Sequence, residues 1–573
     1  MVEKIAQQLE EVAKNLDLSI REPTDYSHER YVTVKPERLV ETVKKLKADY
    51  GVNFLSTLPA FDADDGYHIM YPFSIDFGNV MNGGWGKLVL DVIVNKNDPA
   101  VDSLVSEIPG AILYEREVYD MLGVRFNGLP DHRRLLTPDF MPPDLFPLRK
   151  ENDAREMHKI IEEAGKDYET PPIEEKHDYS IAVGPQHPTH KEAVRFIFHV
   201  KGETIEEVDL RLGFNHRGIE KAFEMRSWLQ NLYLATRLCG ICSLAHQLAY
   251  VEAVEKCARI FDEVPDRARY IRVLVAELER VQSHILWYGV LAHDTGYDTM
   301  FHLTWRDREI VNDILEMVSG NRVNYAMLTI GGARRDISPE LKAKIIPMLK
   351  DLRKKCLYHR DVLNSERSFI VRQKDVAPLS REDALRFCAV GPTARASNVN
   401  IDLRKADPYA AYDQFSFDVP VYSECDILAA MWARLDETII SIDMCIDALE
   451  NMPTGDIKVK APMRIAPNDA IRRVEAPRGE DIHYVRSNGT NKPDRHKIRA
   501  PTLANFPSLV HRLKGTQVAD IPPVIRVIDP CIGCCERVTF VDVKKNKSLE
   551  LSGTQLTSRA NRAYRLGTKV LDF

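Results

Sequence analysis

At 573 residues the chain is too long for one ordinary hydrophobic core, so two or more domains are expected. With 44% apolar and 28% charged residues its composition is globular, and no stretch approaches the ~18 consecutive apolar residues that a membrane-spanning helix needs. A net charge of −7 argues against a nucleic-acid surface, and ten cysteines are too sparse for a disulfide scaffold, which leaves their arrangement as the informative feature.

The N-terminus, Met-Val-Glu-Lys-Ile-Ala, is charged and amphipathic rather than a secretory signal, so a cytoplasmic address is expected. Ile5, Leu9, Val12 and Leu16 recur at helical spacing, and Lys87–Asn95 has the β-branched content of a strand. Residues 1–150 therefore read as a small α+β domain. Prolines at 142, 143, 147, 171 and 172 within a charged stretch give residues 151–178 a linker composition. From Tyr179 a short strand region passes into long apolar stripes. These are Ile271, Leu274, Val275, Leu278, Val281 and Ile285, then Met431, Leu435, Ile439, Ile442, Ile446 and Leu449. Such stripes predict a mostly α-helical bundle domain, and α+β as the class of the whole.

Two C-x-x-C elements stand far apart, Cys239/Cys242 and Cys531/Cys534. A two-residue gap lets both sulfurs of a pair reach one centre, and four thiolates suit a soft or borderline metal such as zinc, nickel or iron. A zinc ribbon needs its two knuckles within about 15 to 20 residues of each other. The pairs here lie at opposite ends of the second domain. Thioredoxin-like exchange needs a single pair at a helix start. Cys257, Cys356, Cys388, Cys425 and Cys445 stand alone and read as buried hydrophobes, while Cys535 either packs or competes for metal.

The flanks, Arg237-x-Cys-Gly-x-Cys-x-x-x-His246 and Asp529-Pro-Cys-x-x-Cys-x-x-Arg537, resemble the two signatures of nickel-iron hydrogenase large subunits. The resemblance implies Cys239 and Cys531 as terminal nickel ligands, Cys242 and Cys534 as bridges to iron, and carbon monoxide and cyanide on the iron. Gly184-Pro-Gln-His-Pro-Thr-His-Lys-Glu192 resembles the opening strand motif of membrane-bound hydrogenases, which makes Glu192 the proton-gate carboxyl. Glu475-Ala-Pro477-Arg478-Gly479 resembles the element that hangs an arginine over the two metals, where a fixed cation helps polarise dihydrogen. Pro477 and Asp529 would position it, and Thr502 would donate to a cyanide. His246 and Glu220 match positions behind the cluster. Glu220 stands near a secondary magnesium or iron site, which Arg537 places in doubt because many relatives carry a histidine ligand there.

Tyr114-Glu-Arg-Glu-Val-Tyr-Asp120 and Asp131-His-Arg-Arg-Leu-Leu-Thr-Pro-Asp139 resemble the 30-kilodalton-type subunit of respiratory NADH:quinone oxidoreductase, a docking domain without a cofactor. Its fusion to a cysteine-complete large subunit, over residues 179–537, resembles membrane-associated (group 4) nickel-iron hydrogenases of the hydrogenase-3 or formate hydrogenlyase type. That resemblance implies reversible reduction of protons to dihydrogen, running toward evolution, at the cytoplasmic face of the membrane. The implied partners are a small iron-sulfur subunit, a ferredoxin-like iron-sulfur subunit, membrane-embedded complex I-like subunits, a maturation protease and nickel-insertion proteins. No cysteine set remains for an iron-sulfur cluster in this chain. The last 36 residues, 538–573, carry seven basic and three acidic side chains and match the extension removed on maturation in this family. Two other readings remain: a metal-free quinone- or sulfur-reducing relative, and a zinc-bearing assembly subunit.

Overall fold

The computed structural model describes residues 2–20, 29–52, 54–79, 84–166, 168, 173, 176–187, 192–532, 539–542 and 547–550. Helices and strands are both abundant, so the class is α+β.

The N-terminal region is built on a six-stranded sheet in which Glu29–Val34 runs parallel to Gly84–Val94, and Gly84–Val94 pairs antiparallel with Gly66–Asn79. The period-two alternation of strand side chains decides its two faces. Leu88, Leu90 and Val92 enter the core shared with Ile5, Leu9 and Val12 of the helix Val2–Asn15 and with Val43 and Leu46 of the helix Leu39–Tyr50. Val89 and Met70 point the other way, into a second cluster with Tyr31 and Phe61. The segment read as a linker contains a helix, Ala154–Ala164, whose start is capped by the Asp153 carboxylate accepting from the Arg155 and Glu156 N–H groups. Its apolar positions are few, which is why composition alone suggested a linker there.

Four long helices, Asp266–Asp294, Asp298–Ser319, Pro339–Ser365 and Ile427–Glu450, pack against one another as the bundle that the apolar stripes predict. Ile271, Leu274, Val275, Leu278, Val281 and Ile285 are all fully buried. Two of the four starts are capped by side chains, Ser338 accepting from the Leu341 N–H and Asp426 from the Ala429 N–H.

Between these parts lies an antiparallel three-stranded sheet, Asn468–Ala476, Gly479–Ser487 and Pro493–Arg499. Its Ile471, Ile482 and Tyr484 belong to the second cluster, so this face packs on the N-terminal sheet. Its other side meets the helix Ser243–Cys257, which follows the first cysteine pair directly. The N-terminal region is thus clamped to the three-stranded sheet by buried charge from its helix Ile112–Leu122 as well as by apolar contact between the sheets. Lys497 binds Glu117 and lies 3.2 Å from Glu220, and Arg495 donates to the Ala60 carbonyl at 2.9 Å. Burial alone would push the Lys497 pKa down, yet the two glutamates hold it above its ordinary value, so the ammonium is charged.

Removing one partner of such a buried pair strands the other charge, at a cost of about 3–5 kcal/mol. Lys497→Met should lower the urea midpoint accordingly, and adding Glu117→Gln should restore part of the loss. A Lys497→Met protein as stable as the parent would show that these charges do not hold the domains together.

Candidate metal centre

The hairpin turn at Pro477-Arg478 joins two strands whose Ala476 and Gly479 face each other. Gly479 has φ +123, and a Cβ there would meet the Gly391 backbone nitrogen at 2.6 Å, so glycine is required for the close approach that seats the turn. The turn presents Arg478, which is 1% exposed, to the loop around Cys531. Its Nη2 lies 2.7 Å from Asp529 Oδ2, its Nε donates to the Asp529 carbonyl at 2.6 Å, and its Nη1 reaches Ser283 Oγ at 3.5 Å. Burial works to lower the Arg478 pKa, but Asp529 and the three sulfurs of Cys242, Cys531 and Cys239 hold it well above its ordinary value. It is a permanent cation beside thiols.

Those thiols converge. Cys239 Sγ is 2.9 Å from Cys531 Sγ and 3.0 Å from Cys242 Sγ, although 292 positions separate Cys239 from Cys531 along the chain. These separations exceed the ~2.05 Å of a disulfide, so the sulfurs share a space without being bonded. All three cysteines are buried. The N–H groups of Ile241 and Cys242 donate to Cys239 Sγ at 3.3 and 3.2 Å, which favours a thiolate there. The loop itself is gripped from outside: Arg217 donates to the carbonyls of Arg237 and Leu238 at 3.0 and 3.2 Å, and Gln282 Nε2 to the Ile241 carbonyl at 2.9 Å. On the other side, the Thr502 hydroxyl accepts the Cys531 N–H at 3.1 Å.

Cys242 stands at the N-cap of the helix Ser243–Cys257, and its side chain makes no capping hydrogen bond. The cap is supplied from a neighbouring helix: Glu279 accepts the N–H groups of Leu244 and Ala245 at 2.6 and 2.9 Å. Burial pushes the Glu279 pKa up to about 8 despite these donors. His246, one turn further along, lies 2.9 Å from Asp481 and 3.2 Å from His483.

The structure thus gathers Cys239, Cys242, Cys531, Arg478, Asp529 and Thr502 in one place, with Pro477 in the turn that presents Arg478. Cys534, Cys535 and Arg537 lie outside the described residues. Glu192 is half-buried just before the strand Arg195–Lys201. Glu220 is occupied by other groups: Arg495 at 2.6 Å, Lys497 at 3.2 Å and the Ile498 N–H at 3.0 Å. Burial opposes its ionisation, but Lys497 and Arg495 bring its pKa down to about 2. Two side-chain cations therefore already supply the positive charge that a secondary metal would bring to this carboxylate.

Of the lone cysteines, Cys257, Cys356, Cys388 and Cys445 are buried, and burial pushes the first three up to about 12, as suits inert packing. Cys425 departs from that expectation, being half-buried in a left-handed turn with φ +64. Sequence reasoning passed over Glu279, Ser283, Asp481 and His483. None carries a spacing signal, because each reaches the site across the fold.

Glu279→Ala should leave two helix N–H groups without an acceptor, at about 1–3 kcal/mol each. Hydrogen exchange at Leu244 and Ala245 should then accelerate markedly, and unchanged protection would remove Glu279 from its capping role.

Comparison with known proteins gives three family matches. Residues 217–297 match nickel-dependent hydrogenases. Residues 294–470 and 459–537 match the 49 Kd subunit of respiratory-chain NADH dehydrogenase, and residues 32–158 match its 30 Kd subunit. Formate hydrogenlyase subunit 5 of Escherichia coli is 35% identical over 531 residues, covering 90% of each chain. Membrane-bound hydrogenase subunit alpha of Pyrococcus furiosus is 42% identical over 66% of this chain and 91% of its own. Hydrogenase-4 component G of Escherichia coli is 34% identical over 524 residues, again covering 90% of each chain. The chain belongs to the family of membrane-bound hydrogenase large subunits, fused to a 30 Kd-type region and related to the 49 Kd subunit of respiratory NADH dehydrogenase.

Proposed function

We propose that the chain is the metal-carrying subunit of a membrane-associated nickel-iron hydrogenase of the formate hydrogenlyase type, interconverting protons and dihydrogen in the direction of hydrogen evolution. The observation that carries this reading is the convergence of Cys239, Cys242 and Cys531 beneath the Arg478–Asp529 ion pair.

The donor set fits the group. Cys239, Cys242, Cys531 and Cys534 would hold nickel and an iron carrying carbon monoxide and cyanide, and this centre supplies the two-electron chemistry of hydrogen when bound. A buried cluster of thiolates is strongly negative, and the chain answers with the Arg478 guanidinium and with backbone N–H groups aimed at sulfur. Because Asp529 grips Arg478 at two points, the cation is fixed before reaction and need not reorganise. Thr502 and Pro477 set the loop and the turn. Glu192 is assigned the exchange of protons with a terminal cysteine sulfur.

Residues 1–150 act as a docking domain, 151–178 connect it, 179–537 carry the metals and 538–573 form an extension removed once the metals are loaded. Electrons come from a small iron-sulfur subunit and a ferredoxin-like iron-sulfur subunit. The membrane arm belongs to other subunits, in keeping with the absence, among the described residues, of any helix long and apolar enough to cross a bilayer. The chain sits peripherally on the cytoplasmic side of that arm. A quinone- or sulfur-reducing role, suggested by the 49 Kd match, has no use for two cysteine pairs.

Cys531→Ala should abolish nickel retention together with methyl-viologen-linked hydrogen evolution. Arg478→Lys should keep nickel while lowering the rate by at least tenfold, since a single ammonium cannot reproduce the two-point grip. Hydrogen evolution surviving Cys531→Ala defeats the proposal. The intact mass of the active protein should correspond to a C-terminus at Arg537, and an active protein retaining residues 538–573 contradicts the processing step.

A further inference from the structure

Behind the cysteine pair lies a second group of metal-binding side chains that the hydrogen chemistry does not use. Asp481 and His483 are two apart on the strand Gly479–Ser487 and so share a face, while Ile482 and Tyr484 turn to the N-terminal sheet. Opposite them His246 projects from the helix Ser243–Cys257. All three side chains are buried, and His246 Nδ1, His483 Nε2 and Asp481 Oδ2 converge on one point. The separations are 2.9 Å from His246 to Asp481, 3.2 Å from His246 to His483 and 3.6 Å from His483 to Asp481.

Hydrogen bonding leaves the carboxylate of this group unsatisfied. His246 Nδ1 carries at most one proton and faces two acceptors, and neither Asp481 oxygen has a well-directed hydrogen bond despite being buried. His483 Nδ1 lies 2.9 Å from His496 Nε2. When that contact is donated by His483, its Nε2 is left as a lone pair aimed at the same point. A cation satisfies all three donors together. Bonds of about 2.0–2.1 Å to nitrogen and oxygen place tetrahedral donors roughly 3.3 Å apart, and the three observed separations bracket that value. The His483–His496 contact then plays the part of the outer hydrogen bond that fixes a ligating imidazole.

We propose that His246, Asp481 and His483 bind a structural divalent transition metal, zinc or ferrous iron, distinct from the thiolate-bound centre. Two imidazoles and a carboxylate suit these borderline ions, and the absence of sulfur separates the site from the cysteine cluster. The ion ties the helix that begins at Cys242 to the three-stranded sheet, and so holds the first cysteine pair at a fixed distance from the Arg478 turn.

The test is metal analysis and X-ray absorption on the matured protein, with His483→Phe and Asp481→Asn as variants. The expected result is close to one additional equivalent of zinc or iron beyond one nickel and one iron, with only nitrogen and oxygen in the nearest shell when the added metal is zinc. When it is iron, the iron signal should carry a second, nitrogen and oxygen component that disappears in the variants. Both variants should lose that equivalent while retaining nickel, which separates this site from the proposed hydrogenase centre. If a variant fails to fold, the parent protein still gives the stoichiometry and the ligand shell. A total of one nickel and one iron, a third metal bound through sulfur, or a third metal that persists in both variants overturns the proposal. A purely hydrogen-bonded proton relay would give the first of these results.

Discussion

The rest of the structure is arranged around one electrostatic problem, the placing of the Cys242 and Cys531 sulfurs, each with a tendency to negative charge, at 3.0 and 2.9 Å from that of Cys239 in a dry interior. Uncompensated, that charge would protonate or push the loops apart. The compensation is local and rigid. A guanidinium is locked to Asp529, two N–H groups point at Cys239, and the helix beginning at Cys242 turns its positive end toward the sulfurs. Glu279 caps that same helix end from a buried position, and burial raises its pKa.

Position is enforced through the three-stranded sheet. One face receives the N-terminal region through Phe61, Tyr484 and the buried Lys497 and Arg495, and the other receives the helix that carries His246. A region without cysteines is therefore mechanically continuous with the cysteine-bearing loops. The N-terminal domain has a short structural path to the Arg478 turn, because that turn closes two strands of the sheet. The charges at Glu117 and Glu220 meet at Lys497, so the acidic motif of the first domain is an element of this contact.

Much of this was legible in the sequence because the relevant signals are periodic or closely spaced. The helical bundle follows from stripes at three and four residue spacing, and the nearness of the Cys239 and Cys242 sulfurs follows from their C-x-x-C spacing. The turn at Pro477-Arg478-Gly479 was readable through its motif, and its glycine has a steric reason in Gly391. What escaped were side chains that act at a distance. Glu279 caps a helix 35 positions away, and Asp481 and His483 meet His246 across more than 230 positions. Glu220 was read by motif alone, and the ion pairs that the fold gives it, with Arg495 and Lys497 from a strand about 275 positions later, carry no sequence signal. The helix Ala154–Ala164 was hidden by its proline-flanked, charged surroundings.

The central claim is that sulfur from both ends of the large domain surrounds one nickel. Nickel-edge X-ray absorption on the matured protein tests it directly. The account predicts a nearest shell made of sulfur, with an iron scatterer beyond it. A nickel shell of nitrogen and oxygen, or a protein whose sulfurs carry only zinc, would contradict it.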